Sequence, residues 1–341
     1  MDRRQFLKST TGAAAATVAA SAGTLAAPAV HAPVRDLTMA TAWPDGVAGL
    51  ADQAFRLARR IETATGGRYR ITVLPGAAND ASGSFDLVHA SAHRHLSHHP
   101  AFAYFAGLPI AAGLSPAELP LWLASGGQDL WDDLSCDLGE RSLLVGHTGG
   151  SSWLWSGAPI FDADDLAGRR IAAVGLGRDI VGALGGVAID ATPADLAHTL
   201  HSGTADAVEW CGLMCSAALG LDRARAHVVR SVLNPNGMAV ALCARRRAWD
   251  ALPDGDRTLL EAIAAAEYRE SLAEAQAIDS MIHTAIAPDA TPPDLKSTIV
   301  KLADAIVADV AGRDATSMRI DASYMAFARS LRRGVMADAS A

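Results

Sequence analysis

The sequence is poor in the residues that mark several common classes of protein. It has only four cysteines among 341 residues, at positions 136, 211, 215 and 243. Cys211 and Cys215 stand four residues apart, and on one helical turn that spacing is usually too strained for a disulfide. No neighbouring motif supplies the other ligands of a zinc site, so we expect the thiols to be buried.

Positive charge is also scarce. Lysine and arginine number 29 against 37 aspartates and glutamates, which gives a formal net charge of −8. The sequence shows no clustered basic stripe, and we therefore expect no nucleic-acid partner. After residue 32 no run approaches the roughly 20 apolar residues that a membrane-spanning helix requires. There is no G-x-S-x-G, H-E-x-x-H or Walker motif, so the sequence predicts neither an enzyme nor a cofactor.

The N-terminus has the pattern of an export signal. Arg3 and Arg4 precede an uncharged, alanine-rich stretch from Ser9 to Val30, and small residues suit cleavage after Ala32. This pattern predicts a twin-arginine signal peptide over residues 1–32, and therefore a periplasmic protein. The mature chain of about 300 residues is long enough for two lobes with their own cores.

The mature chain alternates between strand and helix patterns. A strand pattern at 37–43 is followed by a helical pattern from Val47 to Thr65 and a strand over Tyr69–Leu74. Further strand patterns occur at 84–91, 141–148, 169–175, 187–192, 205–210 and the start of 237–252. Helices are predicted from Asp254 to about Thr284 and from Pro293 to Val310.

This order predicts an α/β fold of the two-lobed kind found in periplasmic binding proteins. The strand–helix–strand units favour parallel pairing, and ligands of such folds bind in the cleft between the lobes. We place lobe I at 33–145 and lobe II at 146–236. Residues 237–341 are expected to form a return strand and long C-terminal helices that span both lobes.

Several segments resemble the substrate-binding proteins of tripartite ATP-independent periplasmic (TRAP) transporters. The most specific is SGTADAVEW (202–210), in which a turn precedes a strand that ends in Glu209 and Trp210. AWPDG (42–46), GHTGGSSWLW (146–155) and RAWDALP (247–253) follow in the family's order. The branch that the chain resembles binds 2-oxo acids, lactate and similar acids. The resemblance implies a receptor that closes over a small organic solute and delivers it to the membrane subunits of a transporter.

The resemblance also implies a set of pocket residues. They are Ser151, Trp155, Glu209 and Trp210, although Trp155 and Trp210 could instead be core residues. Arg178 and His93 of lobe I are further candidates from the residues themselves. Family members usually bind a ligand carboxylate with an arginine where this chain has Ala172. Arg178 is the candidate replacement, and a solvated position at a helix N-terminus is the alternative for it. Ser151 stands where the family often has glutamine and Pro235 where some members have an acidic ligand, so no bridging metal is expected.

The segment HASAHRHLSHHP (89–100) holds five of the eleven histidines. On a continuous helix His89 and His93 would share a face, whereas a strand followed by a loop would direct His93 and His95 towards the cleft. Three interpretations remain open. The histidines line the cleft or are solvated, His93 or His95 contacts the solute, or the segment binds metal.

Two other functions remain alternatives to a TRAP receptor. A degenerate paralogue could serve as a sensor or adaptor, and the histidine cluster could define a metal-binding protein. A homodimer through the C-terminal helices is a further expectation.

Export should depend on the paired arginines. Replacing Arg3 and Arg4 together with lysine is expected to leave the precursor in the cytoplasm, because twin-arginine export requires the pair. Fractionation followed by immunoblotting measures this. Unchanged delivery to the periplasm would show that the signal is of another kind.

Overall fold

The computed structural model describes residues 33–79, 84–110, 112–149, 153–210, 212–224, 227–230, 233–286 and 288–338. The predicted signal peptide (1–32) and Ser151 lie outside the described residues. The strands of this part of the chain are β1 Arg35–Thr41, β2 Tyr69–Leu74, β3 Leu87–Ser91, β4 Glu140–His147, β5 Trp153–Ser156, β6 Arg170–Ala172, β7 Val187–Ile189, β8 Ala207–Trp210, β9 His227–Arg230 and β10 Ala239–Arg245. The α-helices are α1 Leu50–Ala64, α2 Ala103–Ala106, α3 Leu119–Trp122, α4 Gln128–Ser135, α5 Gly177–Ala183, α6 Leu196–His201, α7 Leu213–Ala218, α8 Arg246–Asp250, α9 Asp254–Ile286, α10 Pro293–Gly312 and α11 Ala315–Asp338.

The strands form two five-stranded sheets, each at the centre of one lobe. The first has the order β2-β1-β3-β10-β4 and the second the order β7-β6-β8-β5-β9. Parallel pairing joins β1 to β2 and β3, and β6 to β7 and β8. The two-lobed α/β fold expected from the sequence is therefore confirmed. Each sheet is mixed, however, because β10 is antiparallel to β3 and β4, and β5 is antiparallel to β8 and β9.

The lobes are joined where β4 leads to β5 and β9 leads to β10. The two connecting segments contact each other: Thr148 N–H donates to the Met238 carbonyl at 3.0 Å, and Met238 N–H donates to Thr148 Oγ1 at 2.9 Å. Gly237 has a φ of 68°, and a Cβ atom there would lie 1.9 Å from the Gly149 carbonyl oxygen. Only glycine therefore allows this contact between the segments.

Helix α9 bonds to both lobes. In its first half, the fully buried Glu267 carboxylate pairs with Arg56 at 2.7 Å and Arg60 at 2.6 Å, both from α1 of the first lobe. In its second half, Asp279 Oδ1 accepts a hydrogen bond of 2.8 Å from Met214 N–H at the start of α7 in the second lobe. One helix thus spans both lobes, as the sequence predicts.

Helix α11 is not predicted by the sequence patterns, which end at Val310. Gly312 does end α10, but Asp314 begins a new helix by accepting a 2.7 Å hydrogen bond from Ser317 N–H. Tyr324 of this helix then accepts a 2.7 Å hydrogen bond from Leu114 N–H of the first lobe. Among the described residues, no helix is both long and apolar enough to cross a membrane.

An aromatic stack fixes the first lobe beside the histidine segment. The Phe105 ring lies between Trp122 and Trp131, with centroids 5.2 and 5.0 Å away. Offset aromatic pairs of this kind contribute about 0.5 to 1.5 kcal/mol each beyond their buried area. The stack holds α2, and thereby the turn that follows β3, against the core.

Candidate functional site

A cavity of about 870 Å³ lies between the two lobes. This volume is typical of small-molecule sites, which usually occupy about 300 to 1,000 Å³. The first lobe contributes Ala42, Trp43, Asn79, His93 and Arg94 to its wall. The second lobe contributes residues 172–175, Arg178, residues 189–193, Asp195, His198, Thr199, Thr204 and Trp210. We call this space the cleft cavity. Other hollows of the described residues have volumes of about 650 to 780 Å³, and the cleft cavity is the best candidate because it lies between the lobes, where two-lobed folds bind their ligands.

The end of β6 forms part of the second-lobe wall. Ala172 lines the cleft cavity and is 3% exposed. Arg170, two residues earlier, does not take over the role of an arginine at this point. Its guanidinium forms a paired contact with Asp206 at 3.0 and 3.1 Å and donates to the Gly203 carbonyl at 2.7 Å. The end of β6 therefore presents no positive charge to the cavity.

Arg178 lies in the first turn of α5 and lines the cleft cavity. Its Nη1 is 3.0 Å from the Ile189 carbonyl oxygen and 2.9 Å from Asp190 Oδ1. The Asp190 side chain is almost fully exposed, so this pair lies at the solvent edge of the cavity. A guanidinium carries five N–H donors, of which Nη1 provides two. Arg178 is thus held at the rim in a position from which it can meet an anionic solute.

Glu209 and Trp210 end β8 but face in opposite directions, as successive strand residues do. Trp210 lines the cleft cavity and is 8% exposed. Glu209 is fully buried behind the sheet, beneath the start of α5. A Cβ atom on Gly177 would lie 3.8 Å from its carboxylate oxygen. The structure therefore brings Trp210, and not Glu209, to the wall of the cavity.

The structure does not bring Trp155 to the same cavity. Strand β5 runs antiparallel to β8 with Trp153 opposite Trp210, so Trp155 is opposite Val208, further inside the sheet. Trp155 is 1% exposed and borders a different hollow, together with Ile282 and Ile286 at the end of α9. The family resemblance suggests a place for both tryptophans in the pocket, with the core as the alternative for Trp155, and the register of β5 favours the core.

His93 and His95 belong to a short 3₁₀-helix, Ala92–His95, that follows β3. Residues two apart on a 3₁₀-helix are rotated by about 240°, so the two rings point in different directions. His93 crosses the cleft, and a Cβ atom on Gly175 would lie 2.6 Å from its Nε2. His95 turns away, with Nε2 3.0 Å from Glu140 Oε2. The expectation that a loop directs both rings to the cleft is wrong for His95.

The other histidines of the segment have separate surroundings. His98 is exposed, and His99 Nε2 lies 2.9 Å from Asp314 Oδ2 at the start of α11. His89 is fully buried in β3, where its Nδ1 accepts a hydrogen bond of 3.0 Å from Trp43 Nε1. Trp43 itself lines the cleft cavity, although sequence reasoning did not select it. Its position directly after β1 is the signal that could have identified it.

Two buried imidazoles, His89 and His147, and the half-buried His93 make the fold sensitive to acid. Burial lowers the pKa of His89 and His147 to about 3 and that of His93 to about 4. In the unfolded chain each imidazole has a pKa near 6.5 and becomes protonated below that pH. In the folded protein each one stays neutral down to about pH 4. Unfolding therefore takes up protons in this window. The free energy of unfolding should fall as the pH decreases, by about 1.4 kcal/mol per pH unit for each group.

Urea unfolding of the native protein and of His89→Gln between pH 7.5 and pH 4.5 tests this. The variant should show a shallower loss of stability towards acid, because one imidazole no longer takes up a proton. His201→Gln, at an exposed position of α6, is the control. The half-buried Asp279 works in the opposite direction, since partial burial raises its pKa to about 6. Equal pH slopes in all three proteins would contradict the assignment to His89.

The cleft should close fully only because Gly175 has no side chain where the His93 ring approaches it, since a Cβ atom there would lie 2.6 Å from His93 Nε2. Gly175→Ala is expected to displace the ring and open the lobes, which small-angle scattering would detect as a larger radius of gyration. His93→Ala in the same chain should restore the smaller value. Gly203→Ala is the matched control, because Gly203 also has positive φ but no atom within 4 Å of its Cβ position. Both substitutions to alanine introduce about 1 to 2 kcal/mol of backbone strain. An equal radius of gyration in Gly175→Ala and Gly203→Ala would therefore exclude the approach of His93 as the cause.

Residues 50–291 match the family model of bacterial extracellular solute-binding proteins, family 7 (DctP). The chain is also similar to the monocarboxylate 2-oxoacid-binding periplasmic protein of Nostoc sp. The two are 27% identical over 266 residues, which cover 74% of this chain and 72% of the relative.

Solved structures share the fold. A TRAP transporter solute-binding protein from Bordetella bronchiseptica, a dimer with calcium and picolinate in one site, superposes with a TM-score of 0.82 and 20% identity. The match covers 89% of this chain and 95% of that one. A TRAP solute-binding protein from Colwellia psychrerythraea, with bound calcium and pyruvate, superposes with a TM-score of 0.80 and is 19% identical. This match covers 90% of this chain and 98% of that one.

The family model covers well over half of the chain, including the whole of the spanning helix α9. The resemblance seen in the sequence is thereby confirmed, and the chain belongs to family 7 of the bacterial extracellular solute-binding proteins.

Proposed function

We propose that the protein is the periplasmic receptor of a TRAP transporter, which captures a small organic acid and delivers it to the membrane subunits. Family membership supports the transport role. The observation that carries the proposal is the cavity between the lobes, where Trp43, His93, Arg178 and Trp210 converge from separate elements. Binding shifts the lobes towards the closed form that the membrane partner recognises, and no covalent chemistry on the solute is involved.

Recognition of the acid relies on the rim of the cavity. Arg178 supplies the positive charge, while the indoles of Trp43 and Trp210 and the neutral imidazole of His93 form much of the wall. Ala172 replaces the arginine that the family resemblance leads one to expect. Losing a charge-assisted carboxylate pair commonly costs about 1.5 to 3 kcal/mol, or roughly ten- to a hundredfold in affinity. We therefore propose weak binding of simple 2-oxo acids.

The cleft residues do not fit a cation that bridges protein and solute. Two structural neighbours hold calcium beside their ligands. Here Glu209 lies behind the sheet and Pro235 replaces a carboxylate, so the oxygen ligands that calcium requires do not converge on the cavity. We propose that this receptor binds its solute without such a metal.

Titration calorimetry with pyruvate, lactate and a neutral polyol tests the proposal on the native protein and three variants. Arg178→Ala should lower the affinity for an acid at least tenfold and leave the polyol unchanged. Arg223→Ala, at an exposed position outside the cavity, is the control. Ala172→Arg should strengthen acid binding by roughly ten- to a hundredfold, because it restores the carboxylate pair.

Two outcomes would contradict these assignments. Tight binding of pyruvate that survives Arg178→Ala would remove Arg178 from the site. Failure of a broad panel of acids and polyols to raise the melting temperature would favour the degenerate sensor or adaptor.

Other parts of the proposal concern the whole protein. We propose that the chain is exported by the twin-arginine route, as its first 32 residues suggest. We also propose the divisions 33–145, 146–236 and 237–341, and the return of β10 to the first sheet supports the last of them. A homodimer through the C-terminal helices stays a prediction, which light scattering of the purified protein measures.

A further inference from the structure

Three chemically different side chains converge in the first lobe, outside the cleft cavity. His95 comes from the 3₁₀-helix after β3, Glu140 begins β4, and Cys243 lies within β10. One nitrogen, one carboxylate oxygen and the sulfur all lie within 4.8 Å of one another. We propose that these three residues form a binding site for a zinc-like divalent cation, a role that goes beyond the proposed transport function.

The sheet register builds this cluster. Strand β10 is antiparallel to β4, with Cys243 opposite Ser142, and Glu140 lies on the same face two residues before Ser142. Cys243 is also opposite Val88 of β3, and the 3₁₀-helix that carries His95 continues from that strand. Three elements distant in the sequence therefore meet at one point of the sheet. This is why the spacing of histidines and cysteines along the chain gave no indication of a site.

The cluster is buried, and two of its polar atoms make no good hydrogen bond. His95 is 8% exposed and Cys243 is 3% exposed. His95 Nε2 and Glu140 Oε2 are 3.0 Å apart, yet neither atom has a hydrogen-bond partner of acceptable geometry among the described residues. Unsatisfied polar atoms are costly in a protein interior. A cation bound between them would satisfy both.

The donor set selects the class of cation. Zinc binds histidine nitrogen, cysteine sulfur and carboxylate oxygen at about 2.0 to 2.3 Å, which places tetrahedral donors about 3.3 to 3.6 Å apart. The three ligand atoms lie within 4.8 Å of one another, which is close to those values. Calcium and magnesium prefer oxygen ligands throughout, so they are poor candidates here. Three protein ligands leave the fourth position of a tetrahedron for a water molecule.

Arg94 modifies the site without blocking it. Its Nη1 lies 3.5 Å from Glu140 Oε1, the carboxylate oxygen that does not face His95. Such a contact orients a ligating carboxylate. The positive charge also opposes a dication, so we expect weaker binding than in a site made only of thiolates. A bound cation would fix the 3₁₀-helix that carries His93 into the cleft.

Cobalt(II) is the probe, because a cobalt–thiolate bond absorbs in the near ultraviolet. The purified protein, stripped with a chelator, should bind one equivalent with this absorption and release it to zinc. Cys243→Ser should abolish the band, and His95→Gln should lower the affinity for cobalt at least tenfold. Cys215→Ser (buried) and Cys136→Ser are the controls and should bind as the native protein does. Cys136 is exposed, contrary to the burial expected from the sequence.

Circular dichroism and melting curves of the metal-free variants establish that they are folded. If Cys243→Ser does not fold, His95→Gln decides the question alone. Absence of stoichiometric cobalt binding, persistence of the band in Cys243→Ser, or unchanged affinity in His95→Gln would overturn the proposal. Solute titrations on the same variants keep the two functions apart, because loss of cobalt binding with solute binding retained leaves the transport role intact.

Discussion

The contact between the two segments that join the lobes is the constraint on which the rest of the structure depends. Gly149 and Gly237 allow the backbones to approach more closely than any side chain would permit. Asp279 of α9 lies beside the same point, where a Cβ atom on Gly149 would be 3.0 Å and one on Gly212 2.7 Å from its Oδ2. The hinge is therefore small and closely packed. The width of the cleft follows from how these few residues set the angle between the sheets.

How the cleft recognises a solute depends on which of its side chains are uncharged. Burial keeps the His93 imidazole uncharged, and the end of β6 presents the methyl group of Ala172. Arg178 lies at the rim and keeps contact with solvent through its pair with Asp190, while the charge of Arg94 is paired with Glu140. A solute anion therefore meets its counter-charge at the entrance, and the deeper wall is formed chiefly by rings and small side chains. This arrangement favours recognition of the solute by its shape and by contacts with ring edges, and not by a guanidinium that binds its carboxylate at two points.

A large part of the fold could be predicted because its elements carry strong local patterns. The strand Tyr69–Leu74 has the predicted bounds, and α9 and α10 end within two residues of the predicted positions. The elements that were missed have weaker patterns. Strands β5 and β9 have four residues each, and only two residues separate the end of α10 from the start of α11. In each case packing against neighbouring elements stabilises an element whose own sequence is ambiguous.

The sequence by itself determined the α/β alternation, the placement of Trp210 and Ala172 at strand ends, and the absence of an arginine there. These follow from residue spacing and strand periodicity, which are local properties. Only the tertiary structure decided that Trp155 is a core residue, because that depends on the register of β5 against β8. It also decided that His93 lies in the cleft while His95 lies beside Glu140, because residues two apart on a 3₁₀-helix point in different directions. The cluster of His95, Glu140 and Cys243 arises only when three distant elements meet, which no spacing along the chain can encode.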